Sequence, residues 1–267
     1  MAKKGSSIKV VQITDCHLRA EAHGALLGMK TLESLDAVLE LVEREQESPD
    51  LVLLTGDLAQ DGSEGAYQTL RARMGKRFDC PVIWFMGNHD NASAMQSAAQ
   101  GTDCLRKSLT LGDWHIICLD SSVPGKVHGK LEAAELAFLD AELQTHADKH
   151  VMVVFHHHPV AIGSAWMDSI GLRNGPDFLS VIDRFSHVRL VLWGHVHQAF
   201  DSSYNGVRLL ASPSTCVQFK PLSHAFALDE AAPGYRRILL QPDGTLDTEV
   251  LRVDHIEFEV DLDSKGY

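Results

Sequence analysis

Apolar runs and amphipathic stretches alternate along most of this chain. Ile8-Lys9-Val10-Val11-Gln12-Ile13 predicts a first strand. Leu32, Leu35, Val38, Leu39 and Val42 recur at helical spacing and predict a helix over residues 31–47. Leu51-Val52-Leu53-Leu54, bounded by Pro49-Asp50 and Gly56, reads as a buried parallel strand. A helix is expected over 64–77, strands over 82–86 and 114–119, and a helix over 131–146 striped by Leu136, Leu139 and Leu143. Strands at 151–155 and 188–193 flank a helix around 177–185. After Asp201 the pattern shifts to short strands at 207–210, 237–240 and 248–253, and the polar tail from Asp261 is expected to fray. With no internal repeat and no Pro/Gly/Ser linker, residues 1–267 are expected to form a single domain with its core over about 8–253. Periodicity alone predicts a mostly parallel α/β fold.

Polar motifs fall just after the apolar runs. Asp15, Asp57, Asn88, His156 and His195 each follow a predicted buried strand. Open α/β sheets bind ligands beyond the carboxyl ends of their strands, so these segments can converge on one rim. The glycines before Asp57, Asn88 and His195 suit sharp turns.

The chemistry of the motifs is consistent. In an extended chain Asp15 and His17 point to one side and can chelate one ion, while Cys16 points away into the core. Gly194-His195-Val196-His197 repeats that logic with two imidazoles. The carboxylate of Asp57 can offer an oxygen to each of two ions. Asn88 has a carbonyl oxygen suited to a hard cation. His89 beside it suits a general acid better than a ligand, and either Asp61 or Asp90 could orient it. Three imidazoles in His156-His157-His158-Pro159 are expensive to bury without partners. One ligand with two neighbours hydrogen-bonding nearby is expected there. Singly, an Asp-x-His or a Gly-Asp after a strand is an ordinary polar turn. Together the motifs supply carboxylates, an amide oxygen and imidazoles, the ligand mix of a two-ion centre that hydrolyses phosphate esters. Fe, Mn, Zn and Co fit this set equally. His128, His146, His150, His187, His224 and His255 read as solvated or supporting residues.

Composition narrows the partners. The apolar fraction of 45% supports a sizeable core. A net charge of −12 without a Lys/Arg cluster argues against a long nucleic acid. A small anionic substrate remains compatible, because bound cations invert the local field. Five cysteines without CxxC spacing, a start that is not apolar and the lack of an apolar run of membrane length predict a cytoplasmic protein with reduced thiols and no membrane partner. Oligomeric state is not legible.

The order and spacing of Asp15-Cys16-His17, Gly56-Asp57, Gly87-Asn88-His89-Asp90, His156-His157-His158-Pro159 and Gly194-His195-Val196-His197 resemble the calcineurin-like metallophosphoesterase superfamily. Gln12-Ile13-Thr14-Asp15, residues 56–62, Leu172-Arg173-Asn174 and residues 212–221 resemble the bacterial class III 3′,5′-cyclic-AMP phosphodiesterases, and the resemblance runs from about Ile8 to Tyr267. It implies a four-layer α-β-β-α sandwich with two mixed β-sheets. One ion would take Asp15, His17, Asp57 and His197, the other Asp57, Asn88, His156 and His195. The family's His-His-x-Pro pattern selects His156, whereas a shorter His-x-Pro alignment would select His157. The implied reaction is hydrolysis of 3′,5′-cyclic AMP to 5′-AMP by a hydroxide shared between the ions, with His89 protonating the leaving oxygen. His17, Asp57, Asn88, His89, His156 and His197 would also line the substrate. The alternatives are a different phosphoesterase on the same machinery, acting on a nucleotide-linked or lipid pyrophosphate or on diesters unspecifically, and a non-catalytic scaffold.

Overall fold

Where an apolar run lacks alternation, both faces of its strand are covered, and that produces layers. The computed structural model describes residues 4–45 and 48–266; the expected helix end at 46–47 and the terminal residues 1–3 and 267 lie outside them. In chain order the elements are β1 (Ile8–Ile13), β2 (Ala25–Leu26), β3 (Met29–Lys30), α1 (Thr31–Arg44), β4 (Leu51–Thr55), α2 (Glu64–Arg77), β5 (Val82–Phe85), α3 (Ala92–Ala98), β6 (Ser108–Leu111), β7 (Trp114–Cys118) and α4 (Ala133–Thr145). They continue with β8 (His150–Val154), α5 (Ala165–Asp168), α6 (Gly175–Ile182), β9 (Val188–Trp193), β10 (Phe200–Tyr204), β11 (Val207–Ala211), β12 (Gln218–Phe219), β13 (Leu228–Asp229), β14 (Gly234–Leu240) and β15 (Leu246–Arg252).

Two mixed sheets dominate, with strand orders β15-β14-β1-β4-β5 and β10-β11-β9-β8-β7-β6. In the first, β1, β4 and β5 are parallel, β14 runs antiparallel to β1, and β15 antiparallel to β14. In the second, β11, β9, β8 and β7 are parallel, edged by antiparallel β10 and β6. Alternate residues choose the layer. Val10, Leu51, Leu53 and Ile83 meet Ile116, Met152, Val154, Leu190 and Leu192 between the sheets. Val11, Ile13, Val52 and Leu54 pack outward under α1 and α2. Val151, Val153 and Val191 pack the other way under α4 and α6. The result is the four-layer sandwich implied by the family resemblance, where periodicity alone indicated a mostly parallel fold. Truncating a residue such as Leu53 to alanine between the sheets would cost about 2–5 kcal/mol.

Helix α2 matches its expected bounds because its signals are local. The Ser63 side chain accepts from the Ala66 amide at the N-terminus, and Lys76 and Arg77 occupy the last turn. The polar tail is tied down where it begins. The Asp261 amide donates to the Leu27 carbonyl at 2.8 Å, and Phe258 and Val260 pack against the core, so the segment starts anchored rather than frayed.

Candidate metal centre

The carboxyl ends of β1, β4, β5, β8 and β9 deliver the motif residues to one place. Asp15 Oδ1 lies 3.3 Å from His197 Nε2 and 4.0 Å from His156 Nε2. Asp57 Oδ2 lies 3.2 Å from His156 Nε2 and 3.9 Å from His17 Nε2. His17 Nε2 and His197 Nε2 are 3.0 Å apart. Two donor atoms bound to one ion at ~2.0–2.2 Å sit roughly 3 Å apart, so the closest of these separations match edges of a coordination shell. Asp15, His17 and His197 form one group whose donor atoms lie within 4.8 Å of one another; Asp15, Asp57 and His156 form a second, and His156, His157 and His195 a third. Asp57 also groups with His17 and His89, which puts its carboxylate between the two ends of the cluster.

Hydrogen bonds fix which ring nitrogen faces inward. His17 Nδ1 donates to Gln60 Oε1 (2.5 Å), His156 Nδ1 to the Thr55 carbonyl (2.8 Å) and His197 Nδ1 to the Val217 carbonyl (2.8 Å). Each leaves its Nε2 lone pair on the inner side, the usual arrangement of a metal-binding imidazole. The Nε2 lone pairs of His17 and His197 then confront each other across 3.0 Å, which calls for a cation between them. Further in, Asp57 Oδ2, Asn88 Oδ1, His156 Nε2 and both ring nitrogens of His195 are buried without a hydrogen-bond partner. Such atoms are costly in a protein interior, and a pair of metal ions would satisfy one donor atom from each of these four residues. The residues present therefore fit two ions.

Electrostatics agree. Burial opposes ionisation of Asp15 and Asp57, yet His197 and His156 beside Asp15, and His156 beside Asp57, hold both carboxyls below their ordinary range. Burial drives His17 down to about 3, and His195 and His157 well below 6.5, so these rings are neutral and their lone pairs available. His156 is the exception: burial opposes its charge, but Asp57 and Asp15 hold that ring up at about 9, so without an ion its Nε2 carries a proton directed at Asp57, which a bound ion would displace.

The local backbone differs from expectation. Asp15, His17, Asp57, His195 and His197 all adopt positive φ, between 46° and 68°, so neither two-residue motif is extended. The side chains converge because the chain turns left-handed at each of them, a conformation that costs a non-glycine residue roughly 1–2 kcal/mol. The three glycines also divide. Gly56 has φ +89° and makes a turn. Gly87 and Gly194 are needed for space: an added Cβ would lie 2.1 Å from Asp57 Oδ1 at Gly87, and 2.2 Å from Thr14 Oγ1 at Gly194.

Other expectations resolve individually. Asn88 and His89 are half-buried at the end of β5, and the His89 amide donates to Asp57 Oδ1 at 2.9 Å. The Asp90 carboxylate accepts from the amides of Leu58, Ala59 and Gly87 and from the Tyr67 hydroxyl, clamping the two ligand loops together. Burial and then Asp57 push it up to about 6. Asp61 accepts from the amides of Ala20 and Ser63. His157, expected to support rather than bind, shares a 2.8 Å hydrogen bond between its Nδ1 and Ser121 Oγ, and its Nε2 is buried without a partner. Cys16 is fully buried beneath the outer helices, as expected. The 212–221 segment orients the ligand loops: Ser214 Oγ donates to the Asp15 carbonyl, and Phe219 stacks on His197 at 4.2 Å. Sequence reasoning missed the Thr55 and Val217 carbonyls, which leave no trace in side-chain identity, and Gln60, which lay inside a recognised motif.

Comparison with known proteins agrees with this geometry. A family profile described as calcineurin-like phosphoesterase matches residues 8–199. The 3′,5′-cyclic adenosine monophosphate phosphodiesterase CpdA of Pseudomonas aeruginosa is 48% identical over 98% of this chain and 96% of its own. The protein of the same name from Escherichia coli K12 is 45% identical over 97% and 95%. The crystal structure of a dimetal phosphatase from Danio rerio superposes with a TM-score of 0.62, covering 92% of this chain and 99% of that one at 18% identity, which speaks to the fold. From its layers, its cluster of side chains that could hold metal ions and the span of the profile, the chain belongs to the calcineurin-like phosphoesterase family.

Proposed function

We propose that this chain hydrolyses 3′,5′-cyclic AMP to 5′-AMP at a centre of two metal ions. Asp15, His17, Asp57 and His197 would hold one ion, and Asp57, Asn88, His156 and His195 the other. The observation that carries the chemistry is the position of the Asp57 carboxylate, one oxygen facing both His156 and His17 with no hydrogen-bond partner of its own. The substrate is supported by the activity named for relatives 45–48% identical over nearly the whole chain.

When bound, the ions neutralise phosphoryl charge and generate a nucleophile from water at neutral pH. Asp57 would hold both ions, since its carboxylate lies between the His156 and His17 ends of the cluster. The Nδ1 contacts of His17, His156 and His197 hold those rings in the tautomer and orientation the ions need. Hydrolysis forms a P–O bond to the water oxygen and breaks the bond from phosphorus to the 3′ oxygen, which must gain a proton. His89 supplies it: its ring centroid lies 5.1 Å from that of His17, and its amide ties it to Asp57. His17, Asp57, Asn88, His156 and His197 line the phosphate position.

Among the described residues no helix is long and apolar enough to cross a membrane. The five unpaired cysteines support a cytoplasmic protein, and the acidic charge supports a small-molecule substrate over nucleic acid. The chain works as a single domain, since both sheets contribute to the centre.

The test is a substrate panel on metal-loaded protein: 3′,5′-cyclic AMP, 3′,5′-cyclic GMP, 2′,3′-cyclic AMP, a dinucleoside polyphosphate and an aryl phosphodiester, with products identified chromatographically. The expected outcome is fastest turnover of 3′,5′-cyclic AMP, 5′-AMP as product, and loss of activity on chelation. Inert cyclic AMP beside rapid cleavage of another substrate would replace the substrate. No cleavage at full metal occupancy would mean a scaffold.

A further inference from the structure

Beneath the metal centre lies a buried polar chain that the proposed reaction does not use. Gln12, Thr55 and Ser212 are fully buried and Arg236 is 3% exposed. Gln12 sits on β1, three residues before Asp15. Its Nε2 donates to Thr55 Oγ1 at 2.9 Å and to the Trp193 carbonyl at 3.0 Å. Thr55 is two residues before Asp57, and Trp193 two before His195. One amide therefore joins β1 and β4 of the first sheet to β9 of the second, directly below three of the residues assigned to the ions. Thr55 extends the reach, because its carbonyl accepts from His156 Nδ1 at 2.8 Å and from Thr14 Oγ1 at 3.3 Å.

The polarity of the chain is set from its far end. A guanidinium has only donors. Arg236 Nε donates to Ser212 Oγ at 3.2 Å, so the Ser212 proton goes onward to Gln12 Oε1. That contact holds the amide oxygen away from Trp193 and leaves both Nε2 protons for Thr55 and Trp193. The remaining Arg236 nitrogens are occupied by the Ala211 carbonyl (2.7 Å), the Phe200 carbonyl (3.3 Å) and Thr248 Oγ1 (3.0 Å), which spread over both sheets. A reversed amide would set Oε1 against the Trp193 carbonyl, two acceptors at hydrogen-bond distance.

We propose that Gln12 is a positioning residue for the metal centre, fixing the spacing of the Asp15, Asp57 and His195 strand ends across the two sheets, and that Arg236 acts through Ser212 to hold its amide in the required orientation. The inference rests on the reading of Asp15, Asp57 and His195 as metal ligands. Supporting residues around metal sites typically contribute 10–100-fold in affinity.

The test uses Gln12→Met, which keeps length and apolar packing but removes the donors, Gln12→Glu, which reverses the polarity, and Arg236→Lys. Metal dissociation constants are measured by chelator competition on the full chain, with thermal midpoints of the metal-free proteins alongside. Each substitution should weaken binding of at least one ion by ~10–100-fold, Gln12→Glu most. Excess metal should restore turnover in Gln12→Met. Midpoints that fall while metal affinities stay within about twofold of wild type would make the chain a packing feature and overturn the inference. If Arg236→Lys fails to fold, the two Gln12 variants decide it. A wild-type protein that binds no ion pair would instead remove the reading of the site on which the inference stands.

Discussion

Replacing Gly56 by alanine tests how tightly backbone geometry and metal chemistry are joined. Two penalties add. The residue has φ +89°, where an L side chain is disfavoured by roughly 1–2 kcal/mol. The new Cβ would stand 2.4 Å from His156 Nδ1 and 2.8 Å from the Gly87 amide nitrogen. Comfortable contact is ~3.5–4.0 Å, so the ring must retreat by ~1 Å or the backbone must shift; such overpacking costs about 1–3 kcal/mol. The sum of about 2–5 kcal/mol corresponds to a fall of roughly 4–20 °C in the thermal midpoint of a chain this size. Displacing the ring also breaks its bond to the Thr55 carbonyl, which sets its tautomer. A ~1 Å misplacement at a reacting centre costs on the order of 10²-fold in rate. The assay is thermal unfolding, metal content and turnover of Gly56→Ala beside Gly75→Ala. Gly75 lies inside α2 with nothing within 4 Å of an added Cβ, so that variant should gain about 0.5–1 kcal/mol. A Gly56→Ala protein that melts within ~2 °C of wild type and keeps both ions would refute the argument.

Asp57→Ala should lose both ions; elemental analysis finding two per chain would show that this carboxylate does not bridge. His156→Ala should lose one ion and most activity while His157→Ala loses less, and the reverse pattern would move the ligand one position along the chain. His89→Ala should slow cyclic AMP hydrolysis by roughly 10²–10⁴-fold yet barely slow cleavage of a nitrophenyl diester, whose leaving group needs no proton; equal losses at full metal occupancy would assign His89 to phosphate binding. Burial holds the His158 ring down at about 4 against an ordinary 6.5. The unfolded chain therefore binds the extra proton first, and stability present above pH 6.5 is lost as pH falls toward 4, by about 3 kcal/mol in all. His158→Phe should lessen that slope in metal-free protein, the remainder coming from His17, His157 and His195, as read by denaturant midpoints; an unchanged slope would remove His158 from the account.

The sequence displayed the parts of this fold that rest on local signals. Helix α2 carries its own cap, and the apolar runs of β4 and β9 have no wet face, so their positions were readable. Short edge strands were not: β10, Phe200–Tyr204, is mostly exposed and held by pairing with β11, a tertiary effect without periodicity. Helix α3 is seven residues long, too short for a clear stripe. In the centre, the residues that come together were legible because metal chemistry restricts candidate ligands to few residue types. Their conformation was not. Nothing in Asp-x-His announces two left-handed residues, and the carbonyls of Thr55 and Val217 act through atoms every residue possesses.

The left-handed ligands carry an evolutionary consequence. At Asp15, His17, Asp57, His195 and His197 the chain keeps a non-glycine residue in a conformation that glycine adopts freely and asparagine tolerates. Only the side chain's chemistry justifies that strain. In a lineage that no longer needed the ions, drift to glycine or asparagine at these positions would relieve the backbone strain at each of them. Decay of the centre would thus be written in backbone-relieving substitutions, recognisable before the surrounding sheets had changed.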